Sequence, residues 1–184
     1  MNKSDLRVIK TKRLLGETMI TLLQQESFKD VTVQQLCDES LTARSTFYRH
    51  YSDKYALLEE MVKHYTDDFE KYITERMHQK DITAIVQQLA HHLVENRQAI
   101  LSLLNVHEEH ANLSDALQAI LCKHVLQLIN ARQLAVQIQV PAHYLANLYV
   151  SNTMTFITWT LTNGEDNHIV HLMNRIQNSL VINK

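Results

Sequence analysis

The sequence has very few of the residues that interrupt helices or form tight turns. Only 2 of its 184 residues are glycine and only 1 is proline. Strand-rich proteins need such residues at the many turns that join their strands, whereas long helices tolerate their absence. The chain is long enough for one large or two small domains, and its 45% of hydrophobic residues supports a proper core. We therefore predict an all-α protein.

Two further absences narrow the class of protein. The 2 cysteines, Cys37 and Cys122, lie far apart on apolar helical faces, and we see no signal peptide. Buried free thiols are therefore expected rather than a disulfide. No apolar run reaches the roughly 18 residues that a membrane span needs. We expect a cytoplasmic protein that does not enter a membrane.

Positive charge is lacking in the chain as a whole but not in its N-terminal part. The formal net charge is −2, yet residues 1–54 carry nine Lys and Arg against seven Asp and Glu. DNA binding depends on local rather than global positive potential. A basic arm that contacts phosphate and a solvated helix end are both open interpretations of the first bases. Those bases are Lys3, Arg7, Lys10, Lys12 and Arg13.

Two short helical patterns meet across a tight turn in the first third of the chain. In the first pattern, Leu36 and Cys37 share one face behind Thr32, whose hydroxyl can cap the helix. In the second, Phe47 and Tyr51 are four apart and point into a core. This spacing is typical of a helix-turn-helix, whose second helix enters the major groove of DNA. The opposite face of that helix carries donors and no carboxylate: Arg44, Ser45, Tyr48 and Arg49.

Hydrophobic periodicity predicts about nine helices in total. Ser52 is expected to cap a long fourth helix that runs from Asp53 to about His78, and a helix of that length joins two bodies. The helix that starts at Pro141 should end at Gly164. The remaining helix starts are expected near Ser4, Asp5, Asp81, Asn96, Ser114 and Asp166.

The helix-turn-helix resembles that of the tetracycline-repressor (TetR) family of bacterial transcription regulators. The resemblance rests on Thr32-Val33-Gln34-Gln35-Leu36, on Ser45-Thr46-Phe47-Tyr48-Arg49-His50-Tyr51, and on Lys54 and Leu57-Leu58. It implies a DNA-binding domain at residues 1–53 and a helical regulatory and dimerisation domain at residues 54–184. A looser resemblance, at residues 96–101 and 156–164, is to the compact C-terminal region of regulators of dihydroxyacetone kinase genes.

Three residues depart from the family pattern. Leu41 stands where the turn usually has Gly, so a positive φ there would carry strain. Ala43 replaces the usual Ser or Thr cap of the second helix, which leaves Thr42 as the nearby hydroxyl. Ser27 stands where the first helix often ends in Gly. These departures affect turn geometry and base specificity more than the resemblance itself.

The helix-turn-helix geometry divides the expected DNA contacts into two groups. Arg44, Ser45 and Gln34 should face base edges, and Arg49 belongs to the same cationic face. The expected partner is a palindromic double-stranded operator, because a twofold dimer presents two such helices. Contacts to phosphates are expected from Thr32, Thr46, Tyr48, His50 and Lys54.

Apolar residues of the second half suggest two further sites. One set could line a small-molecule pocket, as in many TetR-like regulators, or form an ordinary core, and periodicity does not separate these alternatives. The pocket set is Tyr65, Phe69, Leu101, Leu104, Leu121, Tyr149 and Trp159. The set expected at a homodimer interface, on the last two helices, is Phe156, Thr158, Ile169, Met173, Ile176 and Leu180.

Signs of catalysis and of a bound metal or cofactor are weak. No Gly-rich phosphate loop or Gly-x-Ser-x-Gly turn is present, and we expect no enzyme and no cofactor. His107 and His110 are three apart rather than the four of a metalloprotease helix. We expect a DNA-binding repressor with an unidentified small-molecule or protein effector. The alternative is a helical module that acts mainly through a protein partner.

Overall fold

The computed structural model describes residues 3–78 and 83–181 of the chain. This described part consists of ten α-helices, and its only β-type pairing is one isolated bridge between Glu108 and Ala111. The chain divides into two compact units, Met1–Tyr65 with Gln98–Leu113 and Thr66–Arg97 with Ser114–Lys184. The prediction of an all-α fold is confirmed.

The first unit is built around a core that α1, α2, α3 and the start of α4 share. Leu15, Met19, Leu36, Phe47 and Leu58 are all fully buried there. Removing such side chains from water is the main force that holds short helices together, since a seven-residue helix is not stable alone. The helices are α1 (Lys3–Leu23), α2 (Val33–Glu39), α3 (Arg44–His50), α4 (Lys54–His78) and, with all but its first residue in this unit, α6 (Arg97–Leu104).

The second unit contains the rest of α4 and five further helices. In it α5 packs against both α9 and α10, and α9 also packs against α10. Its helices are α5 (Thr83–Glu95), α7 (Leu113–Ala131), which starts one residue before the unit does, α8 (Leu134–Ile138), α9 (Ala142–Asn163) and α10 (Asn167–Val181).

Several helix ends follow their sequence signals. Thr32 caps α2 in a reciprocal capping box with Gln35, and Gly164 ends α9 with φ of 90°. A carboxylate oxygen of Asp166 accepts from the backbone N–H of His168 at 2.7 Å, as expected for the start of α10. Ser4, Asp5 and Asp81 were expected to cap other helices, but their side chains lie outside the described residues.

The start of α4 corrects the prediction that Ser52 caps this helix. The backbone N–H of Ala56 donates to a carboxylate oxygen of Asp53 at 2.9 Å, so Asp53 is the capping residue and α4 begins at Lys54. The hydroxyl of Ser52 instead donates to the Asp53 carboxylate at 3.3 Å. An ionised acceptor bonds backbone N–H groups more strongly than a hydroxyl and also favours the positive end of the helix dipole.

The five-residue helix α8 has no counterpart in the sequence prediction. Gln133 and Gln139 flank it, and both have a left-handed backbone conformation. A helix of little more than one turn is too short to show a hydrophobic period, and neither flanking residue is the Gly that usually marks such a conformation. The predicted number of about nine is therefore one fewer than the ten helices of the described part.

Candidate nucleic-acid interface

The two helices of the helix-turn-helix are fixed by one apolar face each. Leu36 and Cys37 are buried under α2, and Phe47 and Tyr51 are buried under α3, which confirms the inward positions expected for all four. The Phe47 ring also meets the ring of Tyr48 edge to face, at 5.4 Å between centroids. Because one face of α3 is anchored in this way, the other face is held towards solvent.

The turn between α2 and α3 contains a strained leucine. Leu41 has φ of 51°, the left-handed conformation that the missing glycine would have adopted without cost, and its side chain is 93% exposed. The backbone N–H of Thr42 donates to the carbonyl of Cys37 at 2.9 Å and closes the turn. The turn therefore closes with a leucine at a left-handed position, at the expense of strain and of an exposed apolar side chain.

The exposed face of α3 has hydrogen-bond donors and positive charge. Arg44, Ser45, Tyr48 and Arg49 are exposed, and α3 contains no acidic residue. Ala43 at the start of the helix makes no side-chain cap, as its lack of a hydroxyl implies. Groups of this kind bind the acceptor-rich phosphates and base edges of DNA.

The other expected contact residues surround this face unevenly. Thr46 and His50 are half-buried on α3, and Thr32 is exposed at the start of α2, where its hydroxyl already takes part in the capping box. Gln34 is exposed on α2 and accepts a hydrogen bond from Arg44 at 3.1 Å. The structure thus brings Gln34 and Arg44 together, although they lie ten positions apart.

Lys54 makes contacts that sequence analysis missed. Its ammonium donates to three backbone carbonyls, those of Phe28 at 2.7 Å, Lys29 at 2.9 Å and Val31 at 2.7 Å. It also lies 4.7 Å from the centroid of the Phe28 ring. An ammonium has three hydrogens, so these carbonyls use all of them. Burial lowers the pKa of Lys54. The expected phosphate contact of Lys54 remains a prediction, and its described contacts lie within the chain.

A second network ties α1 to the end of the helix-turn-helix. Glu60 on α4 accepts hydrogen bonds from Lys12 at 2.6 Å and from the hydroxyl of Tyr51 at 2.9 Å. Burial alone would raise the pKa of Glu60, but these hydrogen bonds outweigh it and hold the pKa below its usual value. Burial and the Glu60 contact raise the pKa of Tyr51. Lys12 and Glu60 are 48 positions apart, and no local pattern links such a pair.

The basic residues of α1 therefore differ in their surroundings. Lys12 is paired with Glu60, and Arg13 lies 3.6 Å from Glu17 on the same helix. Arg7 and Lys10 are exposed on the N-terminal part of α1. Two of the bases that were candidates for phosphate contact thus already have carboxylate partners.

Residues expected to line a ligand pocket are distributed over both units. Phe69, Leu121 and Tyr149 are buried in the second unit, where Trp159 is 47% exposed. Tyr65, Leu101 and Leu104 belong to the first unit and are half-buried.

The second unit contains one small cavity of about 10 Å³, roughly the space of one water molecule. Of the expected pocket residues, Tyr149 alone lines it. The other lining residues are Tyr72, Ile73, Ile85, Val86, Leu89, Thr153, Met173 and Gln177.

Residues expected at a dimer interface also differ in exposure. Phe156 and Met173 are buried, whereas Thr158 and Ile176 are exposed. Ile169 is half-buried, and the side chain of Leu180 lies outside the described residues.

Two other kinds of site are absent from the described residues. They contain no group of three or more His, Cys, Asp or Glu side chains placed to hold a metal ion. None of their helices combines the length and the apolar character needed to cross a membrane.

Comparisons with known proteins agree with the helix-turn-helix geometry. Residues 19–61 match the family model of bacterial regulatory proteins of the tetR family. The matched segment includes all of α2 and α3. No curated protein matches the sequence.

Three solved structures share the fold along nearly the whole chain. A TetR transcriptional regulator from Streptococcus agalactiae 2603V has 21% identity and a TM-score of 0.63, with 97% of each chain covered. A regulator assigned to the TetR family from Syntrophomonas wolfei has 12% identity and a TM-score of 0.64, covering 94% of this chain and 95% of that one. The dihydroxyacetone kinase operon activator DhaS has 13% identity and a TM-score of 0.53, covering 92% and 93%.

The matched segment contains the whole of α3 with its exposed face, and the three solved structures share the overall fold. The helix-turn-helix of this chain is thus similar to that of the bacterial regulatory proteins of the tetR family, whose model matches residues 19–61.

Proposed function

We propose that the chain is a homodimeric repressor that binds a palindromic operator through α3. The observation that carries this proposal is the division of α3 into a buried face, Phe47 and Tyr51, and an exposed face of donors without an acid. Residues 1–53 would form the DNA-binding domain and residues 54–184 the regulatory and dimerisation domain.

The exposed side chains of α3 suggest which groups contact bases and which contact phosphates. Arg44 and Ser45 lie at the N-terminal end of α3, the end that contacts base edges in a helix-turn-helix. Tyr48 and Arg49 follow one turn later and are proposed to contact phosphates, together with Thr32, Thr46 and His50. The phosphate contact of Lys54 stays a separate prediction, because its three hydrogens are donated to carbonyls of the chain.

A homodimer is proposed because one seven-residue helix contacts too few base pairs to select a genomic site. Large apolar side chains are exposed on α9 and α10, among them Tyr144, Leu148, Trp159, Leu172 and Ile176. Helix α9 also carries small hydroxyl residues, which permit close helix approach. A second copy of the chain would bury this surface in a four-helix arrangement.

Control by an effector is proposed at the cavity of the second unit. Gln177 lines it and is buried, and its Oε1 has no hydrogen-bond partner in the described part of the chain. Small-molecule pockets usually have volumes of about 300–1,000 Å³. This cavity would therefore have to open before it could take a metabolite, which would couple binding to a change in the second unit.

The direction of regulation needs its own test, since one of the solved proteins with this fold is an operon activator. Repression predicts that deleting the gene raises transcription from promoters that contain the selected site. Lower transcription from those promoters would instead make the protein an activator.

The test of DNA binding is selection from a pool of duplexes with a randomised centre. The expected result is enrichment of one twofold-symmetric sequence, because a dimer presents two copies of α3. If no sequence is enriched and the chain does not bind duplex DNA at low salt, the proposal fails. The alternative, action through a protein partner by a chain that no longer binds DNA, would then be favoured.

A further inference from the structure

A hydrogen-bonded network of three polar side chains connects α2 to the first residue of α3. Nε2 of Gln34 donates to both carboxylate oxygens of Asp38, one turn further along α2, at 2.7 Å each. Oε1 of the same amide accepts from Nη1 of Arg44 at 3.1 Å. The Arg44 guanidinium also lies 5.9 Å from the centroid of the Tyr48 ring.

The chemistry of these three side chains fixes which group donates and which accepts in each hydrogen bond. A carboxylate only accepts hydrogen bonds, and a guanidinium only donates them, so a single orientation of the Gln34 amide satisfies both neighbours. Asp38 thereby holds the amide oxygen towards Arg44. The Gln34 amide nitrogen is correspondingly directed at Asp38.

We infer that Asp38 and Gln34 are positioning residues that set the base specificity of Arg44 through these hydrogen bonds. The inference rests on the proposed function, in which Arg44 contacts a base. An arginine distinguishes guanine by two parallel hydrogen bonds, and these require a fixed orientation of the guanidinium plane. The hydrogen bond to Gln34 and the nearby Tyr48 ring restrict that plane before DNA binds, so less conformational freedom is lost on binding.

Asp38 should have two opposite effects on DNA binding. Its negative charge lies on the surface that would meet DNA and should weaken binding to every duplex. Its hydrogen bonds to Gln34 should strengthen the preference of Arg44 for one base. A residue that serves only the stability of α2 would not change affinity and discrimination in opposite directions.

The experiment first locates the base pair that Arg44 contacts. Selection with Arg44→Ala should leave one position of each half-site degenerate. Dissociation constants are then measured for the selected duplex and for a duplex changed at that position. For Asp38→Ala, we expect this discrimination to fall by on the order of three- to tenfold, the worth of one hydrogen bond, while affinity for unrelated duplex DNA rises.

Glu39→Ala is the matched control, because Glu39 is the next residue on α2, is also exposed and has the same charge. It should raise affinity for all duplexes and leave the discrimination unchanged. In a Gln34→Met background, Asp38→Ala should have no further effect on discrimination, since the connection to Arg44 is already broken. If Asp38→Ala behaves like Glu39→Ala, or if its effect persists beside Gln34→Met, the inference is wrong.

The free protein gives a readout that does not depend on DNA. The side-chain amide resonances of Gln34 in a ¹⁵N–¹H spectrum should shift in Asp38→Ala and in Arg44→Ala, but not in Glu39→Ala. If these shifts appear and no duplex is bound, the proposed function fails while the contacts are real. If Arg44→Ala relaxes one base pair but the Gln34 resonances do not respond, the positioning role fails and DNA binding stands.

Discussion

Helices α3 and α9 differ in the side chains that they expose to solvent. On α3, the apolar Phe47 is fully buried, and charged residues face solvent. On α9, Thr153 and Thr160 are buried at 2% exposure each, whereas Tyr144 is 58% exposed and Trp159 is 47% exposed. The same periodic helix pattern thus produces a polar surface in one unit and a partly apolar surface in the other.

The difference indicates two kinds of partner. A surface of arginine, tyrosine and hydroxyl groups suits a polyanion, because each group can donate to a phosphate or a base edge. A surface of aromatic and aliphatic side chains with threonines suits another protein surface, because burying it removes apolar area from water. The proposed DNA contacts and the proposed dimer interface follow from this contrast.

The largest expected effect comes from removing the anchor of α3. Phe47→Ala should lower the free energy of unfolding by about 3–5 kcal/mol, since the ring is fully buried. Urea unfolding followed by circular dichroism measures this decrease. Tyr48→Ala, next in sequence but half-exposed, is the control and should weaken DNA binding with little change in stability. An unchanged free energy of unfolding for Phe47→Ala would mean that α3 is oriented differently.

The next effect tests the apolar surface of the second unit. Ile176→Glu should convert the proposed dimer to a monomer, because a carboxylate would have to be buried without a partner. Light scattering of the full chain measures the mass, and Gln127→Glu, at an exposed position of α7, should leave it unchanged. Thr158→Glu on α9 should act like Ile176→Glu. Were both variants to remain dimeric, the interface would lie elsewhere.

A smaller effect is expected at Lys54. Lys54→Met keeps the apolar stem but removes the charged donor from three carbonyls, which should cost roughly 1.5–3 kcal/mol of unfolding free energy. Lys29→Met is the control, since the Lys29 side chain is exposed in the segment whose carbonyls accept from Lys54. If stability is unchanged and the salt dependence of DNA binding becomes weaker instead, Lys54 contacts phosphate as the sequence suggested.

The smallest expected effect is a change in acid sensitivity. The pKa of Glu60 is lower in the folded state than in the unfolded state, where it is about 4.3. Ionised Glu60 therefore stabilises the fold fully at pH values above the unfolded pKa, and this contribution is lost as the pH falls through the folded pKa. Glu60→Gln should therefore flatten the decline of the urea midpoint below that pH. Glu59→Gln, at the neighbouring exposed position, serves as the control. An equally steep decline in Glu60→Gln would show that other carboxylates are responsible.

The parts of the fold that sequence could predict depend on local chemistry. The Thr32 cap, the burial of Phe47 and Tyr51, and the end of α9 at Gly164 all follow from residues within a few positions of one another. The positive φ of Leu41 could be expected only through the resemblance to a family with glycine there. Helix α8 is too short to produce a period.

The contacts that position the candidate site were not predictable in the same way. Lys54 joins carbonyls more than twenty positions earlier, and Lys12 on α1 meets Glu60 on α4. Lysines near a helix-turn-helix are typical of phosphate contacts, and the motif predicts only that role for them. It gives no sign that Lys12 has a carboxylate partner in Glu60. Only three-dimensional packing shows which cations already have an acceptor.

The central claim, that α3 presents a DNA-binding face, is tested most directly by the salt dependence of duplex binding. The logarithm of the association constant for the selected duplex should fall linearly with the logarithm of salt concentration, because each neutralised phosphate releases a counterion. Arg49→Ala should reduce the slope by about one unit for each phosphate that the variant no longer neutralises. Binding that does not respond to salt, or a slope unchanged by Arg49→Ala, would contradict the claim.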